Sequence, residues 1–272
     1  MRNSFFKIEL AIVLLLVSSL YVSAQCGSVN KAFKSGEDLS YDLYYNWKFV
    51  WVKAGTASMS TDLSTYNGRP AYRTSLVTRG NRRVDIFFVL RDTLLGYTRT
   101  DLVPLYFRKG AREGDRYTVD EVRYSYAPSK VMLNQHYINK HGEHEYHKYE
   151  SRNCIFDMIS MLHRARNFDG DSFKVGYTMY LPLAFGKSVE HSRLIYCGKS
   201  NFKMSNGQKF RCMVFSYVET EDGKSKEIIK FFVTDDTNHI PVRLDMNLKF
   251  GVAKAYLSGY DNIRNAMTSR LK

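Results

Sequence analysis

Residues 240–250 read IPVRLDMNLKF, and Ile240, Val242, Leu244, Met246, Leu248 and Phe250 alternate there with Pro241, Arg243, Asp245, Asn247 and Lys249. Successive side chains of a strand point to opposite faces, so this period of two puts every apolar residue on one side. On a helix the same residues would be scattered around the axis. The pattern predicts an antiparallel strand with one buried and one wet face. Ser40–Trp47 repeats it with Tyr41, Leu43, Tyr45 and Trp47. So does Phe173–Leu181, with Phe173, Val175, Tyr177, Met179 and Leu181. Turn signals recur at short intervals: Tyr66-Asn67-Gly68, Arg112-Glu113-Gly114-Asp115, Ala127-Pro128-Ser129, Phe168-Asp169-Gly170-Asp171 and Glu221-Asp222-Gly223. About a dozen strands at this spacing indicate an all-β, mainly antiparallel chain.

One segment departs from the rhythm. CIFDMISMLHRAR, residues 154–166, places Ile155, Met158, Ile159 and Leu162 at helical spacing, with Asn153 as the expected N-cap. Arg83–Phe88 offers a second, shorter helical turn before a strand that begins near Val89. The long helix divides the β pattern into halves at about 33–150 and 170–262, with no Pro- or Gly-rich linker between them. The expectation is a single β-rich domain over 25–262, a strongly curved sheet or incomplete barrel on which this helix packs, followed by a basic tail at 263–272. An outer-membrane barrel would need a lipid-facing apolar set on every strand. Tyr117–Tyr126 has Glu121 and Arg123 on one face and Asp120 on the other, which argues against it.

The N-terminus reads as a leader. Arg2 and Lys7 precede the apolar run that begins at Leu10, and Val22-Ser23-Ala24 supplies the small residues of a cleavage site. The run is interrupted at Ser18-Ser19 and is short for a bilayer span, so residues 1–24 are expected to be a signal peptide and the mature chain to carry no transmembrane segment. Loss of Arg2, Lys7 and Glu9 takes the net charge from +13 to +12. In an exported protein such basicity points to anionic lipid, lipopolysaccharide, acidic glycan or carboxylated polymer and not to nucleic acid, or it merely keeps the protein soluble. The runs Arg79-Gly80-Asn81-Arg82-Arg83 and Arg108 to Arg116 either meet such a surface or are simply solvated. Four cysteines remain, Cys26, Cys154, Cys197 and Cys212, and an oxidising compartment allows three pairings of them. Cys197 and Cys212 flank a turn at Ser205-Asn206-Gly207, which permits a bridge between them without demanding it.

The order of segments adds a resemblance. FKSGEDLSYDLYYNWKFVWVKAGTASM (33–59), YNGRPAYR (66–73), VDIFFVLRDTLLGYTRTDLVPLYFRK (84–109), FDMISMLHRAR (156–166), GQKFRCMVF (207–215) and FFVTDDTNHIPVRLDMNLKFGVAKAYLSGY (231–260) together resemble the exported bacterial family catalogued as domain of unknown function 3108. The resemblance covers nearly all of the mature chain. It implies a mostly antiparallel β fold in a Gram-negative envelope, and it implies no reaction.

Candidate sites are few. NKHGEHEYHKYESR (139–152) places His141 and His147 at one strand parity with Glu143 and Glu145 between them, and His136 stands nearby in sequence. That set could hold a divalent metal through His141, His147 and Glu143; a charged edge strand explains the same residues. Asp157, Ser160 and Arg164 form a polar seam on the helix, and a buried Asp157 would need a partner such as Arg164 or a strand arginine. Tyr41, Tyr45 and Trp47, with Tyr44 and Trp51, either fill the core or line a groove for an acyl chain or sugar. Arg91-Asp92, and Asp235-Asp236 with Arg243, read as structural pairs, and the Asp235–Asn238 run as a hairpin loop. Arg91 is nonetheless carried as a ligand candidate. GxSxG, HExxH, Walker and GxGxxG patterns are missing, so no catalytic residue or cofactor is assigned.

The reading is an exported β-rich protein binding an apolar or amphiphilic envelope molecule, a lipid or a glycan. The alternative is a non-enzymatic interaction module that docks on an anionic envelope polymer or a partner protein. A carboxylate-dependent hydrolase stands last. A hollow interior suits the first reading, a filled one the second.

Overall fold

A computed structural model describes residues 26–47, 50–86, 88–204, 206–221, 224–248 and 251–272. The signal peptide expected at 1–24 lies outside the described residues. The described strands run in chain order as β1 (Glu37–Trp47), β2 (Val50–Tyr66), β3 (Arg69–Gly80), β4 (Leu90–Arg99), β5 (Pro104–Glu113), β6 (Arg116–Ala127), β7 (Lys130–Ile138), β8 (His144–Ser151), β9 (Thr178–Phe185), β10 (Ser188–Lys203), β11 (Lys209–Glu221), β12 (Lys224–Thr234), β13 (Pro241–Asn247), β14 (Val252–Asp261) and β15 (Arg270–Leu271). Helix α1 (Arg82–Asp85) precedes β4, and α2 (Met158–Ala165) lies between β8 and β9. All strands join one antiparallel sheet in the order β8-β7-β6-β5-β4-β3-β2-β1-β14-β13-β12-β11-β10-β9, with β15 on β11. The first half is thus one meander, the second half another, and β1 joins β14 at the middle.

Among the described residues the sheet is not closed by a strand ladder. Side chains bring its two ends together instead. Asp120 on β6 accepts a hydrogen bond from the Gly186 N–H at the β9–β10 turn, at 2.8 Å. Gln135 on β7 donates to the carbonyls of Gly186 and Ser188, at 3.2 and 3.0 Å. Lys187 reaches Glu145 on β8. Behind that seam, Phe156 pairs with β9 through Pro182 and Ala184, so the chain entering α2 covers the β9 edge. Covering an edge removes a template for intermolecular pairing.

Helix α2 occupies the concavity. Ile159 joins a buried cluster with Leu94, Phe107, Val122 and Leu133. Leu162 packs on a second built from Leu39, Met59, Phe210, Ile240 and Leu257. Met161 and Ala165 pack on a third built from Phe156, Leu183, Leu194 and Phe215. Gly96 lies under the helix: a methyl group there would come within 2.8 Å of the Ile159 Cβ, so only glycine lets helix and strand approach this closely.

The expected strands and turns are largely where the alternation places them, and the boundaries differ in particular ways. The helix starts later than Asn153: Asp157 is its N-cap, accepting from the N–H groups of Ile159 and Ser160, while the Ser160 hydroxyl accepts from the Asp157 N–H. This reciprocal arrangement is a capping box, with Ser in the place usually taken by Glu or Gln. Residues 173–177 are not strand, because β9 begins only at Thr178; Val175 and Tyr177 are exposed despite their alternation. The segment 263–272, expected as a basic tail, lies against the sheet. Ile263 and Met267 pack on the second cluster, and β15 takes a place on β11 beyond the reach of β12.

Candidate functional site

Asp157 is buried, yet its partners are local. Oδ1 caps α2, whereas Oδ2 has no hydrogen-bond partner among the described residues. The Tyr124 phenol lies near enough to act on the charge but outside hydrogen-bond geometry, and its own oxygen is equally unpartnered. Burial pushes the Asp157 carboxyl up to about 6 against the opposing pull of the cap hydrogen bonds. Asp120 also rises to about 6, again through burial. Arg164 does not reach Asp157. Its guanidinium donates to the Gly27 carbonyl at 3.1 Å, so the expected Asp157–Arg164 seam is not an ion pair.

Among the described residues a fully buried ion pair forms elsewhere. Arg166 donates to both carboxylate oxygens of Glu37, at 2.5 and 2.9 Å, with both side chains almost wholly buried. Its Nε donates to the Asn238 carbonyl at 3.1 Å, and its guanidinium lies 5.3 Å from the Phe33 ring centre. Beside it His163 bonds Thr74 and Thr98 through its two ring nitrogens. Burial, aided by the Arg166 charge, lowers this imidazole to about 3 and keeps it neutral. The network ties β1, α2 and the β12–β13 loop into one packed end. No local pattern announces a pair 129 residues apart.

The remaining candidates separate. Tyr41 is a core residue whose hydroxyl burial pushes strongly upward in pKa. Tyr45 packs against Gly251. Trp47 ends β1 opposite Val50, and its side chain lies outside the described residues. Trp51 is exposed, with the Lys254 ammonium 4.3 Å from its ring. Tyr41, Tyr45 and Trp51 therefore do not line one groove. Arg91 pairs with Asp85 at the surface and not with its neighbour Asp92. Asp235 and Asp236 occupy the β12–β13 loop; Asp235 meets Arg211 and Lys199, Asp236 accepts from Asn238 and Ser269, and Arg243 pairs with Asp245.

His141, Glu143 and His147 are not brought together. His141 sits in the β7–β8 turn, so strand parity no longer relates it to His147 on β8. Glu143 bonds Asn139, and His147 approaches Glu145 at 3.6 Å. His136 and His144 meet instead, at 3.0 Å, with Tyr146 stacked on His136. No group of three His, Cys, Asp or Glu side chains suited to a metal ion forms among the described residues.

The cysteines pair as Cys26–Cys154, not Cys197–Cys212. A bulge between Tyr196 and Gly198 puts Cys197 out of register with β11, leaving it exposed while Cys212 is buried. Burial raises the Cys212 thiol to about 12. The bond that does form pins the N-terminal segment to the approach of α2.

Among the described residues α2 and three buried clusters fill the interior, and two shallow depressions lie on the surface. One is bordered by Ser28, Asn30, Tyr72 and Asp101, the other by Asn206, Gln208 and Arg270. No helix among the described residues is long and apolar enough to cross a membrane.

Fold and packing define a barrel-like, incompletely closed antiparallel sheet filled by one helix. Residues 40–258 match the family described as protein of unknown function, DUF3108, and the chain belongs to that family. A crystal structure of a β-barrel-like protein of domain of unknown function DUF1849 from Brucella abortus superposes with a TM-score of 0.53 at 11% identity, covering 86% of this chain and 100% of that one. At that identity the likeness is one of fold. A putative exported protein with a YmcC-like fold from Bacteroides fragilis aligns over 88% of this chain and 100% of its own, at 10% identity and a TM-score of only 0.34. No curated protein matches the chain significantly.

Proposed function

We propose that the protein is a non-enzymatic interaction module of a Gram-negative cell envelope that meets an anionic partner with its outer surface, not with its interior. The observation that carries this reading is the packing of α2. One helix contributes Ile159, Leu162 and Met161 to or against three separate clusters, occupying the space an acyl chain would need. A ligand-holding barrel of this size keeps that volume open. The basic balance of the chain supports an anionic partner, and the leader-like N-terminus supports export into the envelope.

Native mass spectrometry of the protein exported by its own kind of cell tests the reading. The expected result is the bare polypeptide, lighter by the two hydrogens of the Cys26–Cys154 bond. A stoichiometric lipid-sized mass would overturn it in favour of a ligand-holding barrel. In that case bulky replacements at Met158 or Leu162 would abolish uptake and not merely lower stability.

A further inference from the structure

Four successive connections along the sheet emerge at the same end: β5–β6, β3–α1–β4, β1–β2 and β13–β14. Direct contacts between them make one surface. Lys254 of β14 covers Trp51 of β2. Asn81 caps α1 and also fastens it to β2, its N–H donating to the Ala54 carbonyl at 2.9 Å and its amide to the Lys53 carbonyl. The Gly114 N–H of the β5–β6 turn donates to the Val89 carbonyl at 2.7 Å. A methyl at Gly114 would touch the Phe88 ring at 3.5 Å.

Two kinds of side chain project from this end. Val50, Trp51, Ile86, Phe88 and Leu248 are exposed, Ile86 by 77%. Single exposed apolar residues are ordinary, but a group on adjoining turns marks an interaction surface. Around them Arg79, Arg82, Arg83, Arg112 and Arg116 are exposed and have no ion-pair partner among the described residues. The nearby acids are mostly engaged: Asp42 with Lys53, Asp85 with Arg91 and Glu113 with Lys109, leaving Asp115 at the surface and the half-buried Asp92. The end is thus cationic as well as apolar.

We propose that this end docks on an anionic lipid bilayer. The proposal deepens the interaction-module reading and rests on it. Charge complementarity chooses the partner's sign, and the apolar tips choose its kind. A soluble polyanion would engage the arginines and leave Trp51, Ile86, Phe88 and Leu248 in water. A bilayer takes both sets, with guanidinium groups among the phosphates, the indole at headgroup depth and aliphatic tips just beneath. The surface lies on the bilayer and does not span it.

The test has a built-in reporter. The chain has 2 tryptophans, Trp47 and Trp51, and both belong to the β1–β2 hairpin, so tryptophan emission reports on this end alone. The mature protein is mixed with vesicles of equal parts phosphatidylglycerol and phosphatidylcholine, or of phosphatidylcholine alone, and read by emission and by co-sedimentation. The expected result is a blue shift and sedimentation with the anionic vesicles only, weakened by salt. Arg82→Glu with Arg83→Glu should weaken binding at least about thirty-fold, since each basic residue near such a surface contributes about a factor of five. Trp51→Ala with Ile86→Ala should also release the vesicles, while Arg270→Glu at the opposite end should not. Unchanged far-ultraviolet circular dichroism and melting confirm that each variant is folded. Failure to sediment, sedimentation with no change in emission, or equally tight binding to heparin that survives the Trp51/Ile86 replacement would each overturn the proposal. A bare native mass together with failed vesicle binding rejects the bilayer alone. A retained interior lipid rejects the module reading itself.

Discussion

Asp157→Asn should make the protein more stable at neutral pH. The carboxyl is buried with one oxygen capping α2 and the other unpartnered, and burial raises it from 3.8 to about 6. A shift of that size corresponds to about 3 kcal/mol of ionisation cost in the folded state. Between about pH 4 and pH 6 the folded chain holds this proton and the unfolded chain does not. Stability therefore falls as pH rises through that window, and the whole deficit is present above it. Asparagine keeps the Oδ1 acceptor for the Ile159 and Ser160 N–H groups, and its amide can donate toward the unpartnered Tyr124 oxygen. Asparagine caps about as well as aspartate, so the cap term changes little. At about pH 7.5 the variant should gain up to about 3 kcal/mol, and at about pH 4 close to nothing. In urea unfolding, with a slope of about 3 kcal/mol per molar, the midpoint should rise by about 1 M at the higher pH. Asp120 feels the Asp157 charge, so its carboxyl should ionise at slightly lower pH in the variant. A variant that is less stable at the higher pH, or a difference that does not vary with pH, would refute the reasoning. Either would mean that the Asp157 charge is satisfied within the fold.

Three further outcomes are expected. Arg166→Met leaves Glu37 charged, buried and without its two guanidinium hydrogen bonds; unfolding should cost about 3–5 kcal/mol less, read from denaturant midpoints. Reduction of Cys26–Cys154 releases a 128-residue loop, which on chain-entropy grounds lowers stability by up to about 5 kcal/mol; melting with and without reductant measures it, and peptide mapping should find this bond and no Cys197–Cys212 bond. Gly96→Ala drives a methyl into Ile159 and should destabilise by about 1–3 kcal/mol, with Ile159→Ala in the same chain restoring part of the lost clearance.

Period two was the most legible signal. Val242 and its neighbours read as a strand because burial on one face forces alternation, and β13 occupies Pro241–Asn247. The same signal misled at 173–177, where Val175 and Tyr177 alternate without burial, and at Leu248, which is exposed beyond the end of β13; Lys249 and Phe250 lie outside the described residues. Alternation records a face, and nothing in it says that a core covers that face. The true start of α2 was readable: Asp157 and Ser160 stand three apart immediately before and within an apolar stripe, and that spacing outranks Asn153. The pairs Glu37–Arg166 and Cys26–Cys154 were not readable, because each joins residues more than a hundred positions apart. The Cys197–Cys212 geometry failed on one extra residue, since a bulge shifts the register and no composition marks it. The cationic runs near Arg82 and Arg112 were visible in the sequence. Their meeting at one end with Trp51 and Ile86 required the strand order.

The junction of β1 with β14 has a consequence for how the chain comes to be folded. Asp38 pairs with Asp261 and Tyr45 with Ala253, so the middle of the sheet is built from the two extremes of the described chain. Each meander can assemble from local hairpins, but their union must close a loop of more than two hundred residues, which makes it the slow step. Until residues 252–261 arrive, β1 presents one complete, unsatisfied row of backbone donors and acceptors. A chain that has not been fully delivered therefore carries a sticky interior edge, and one that has been delivered hides it at the centre of the molecule.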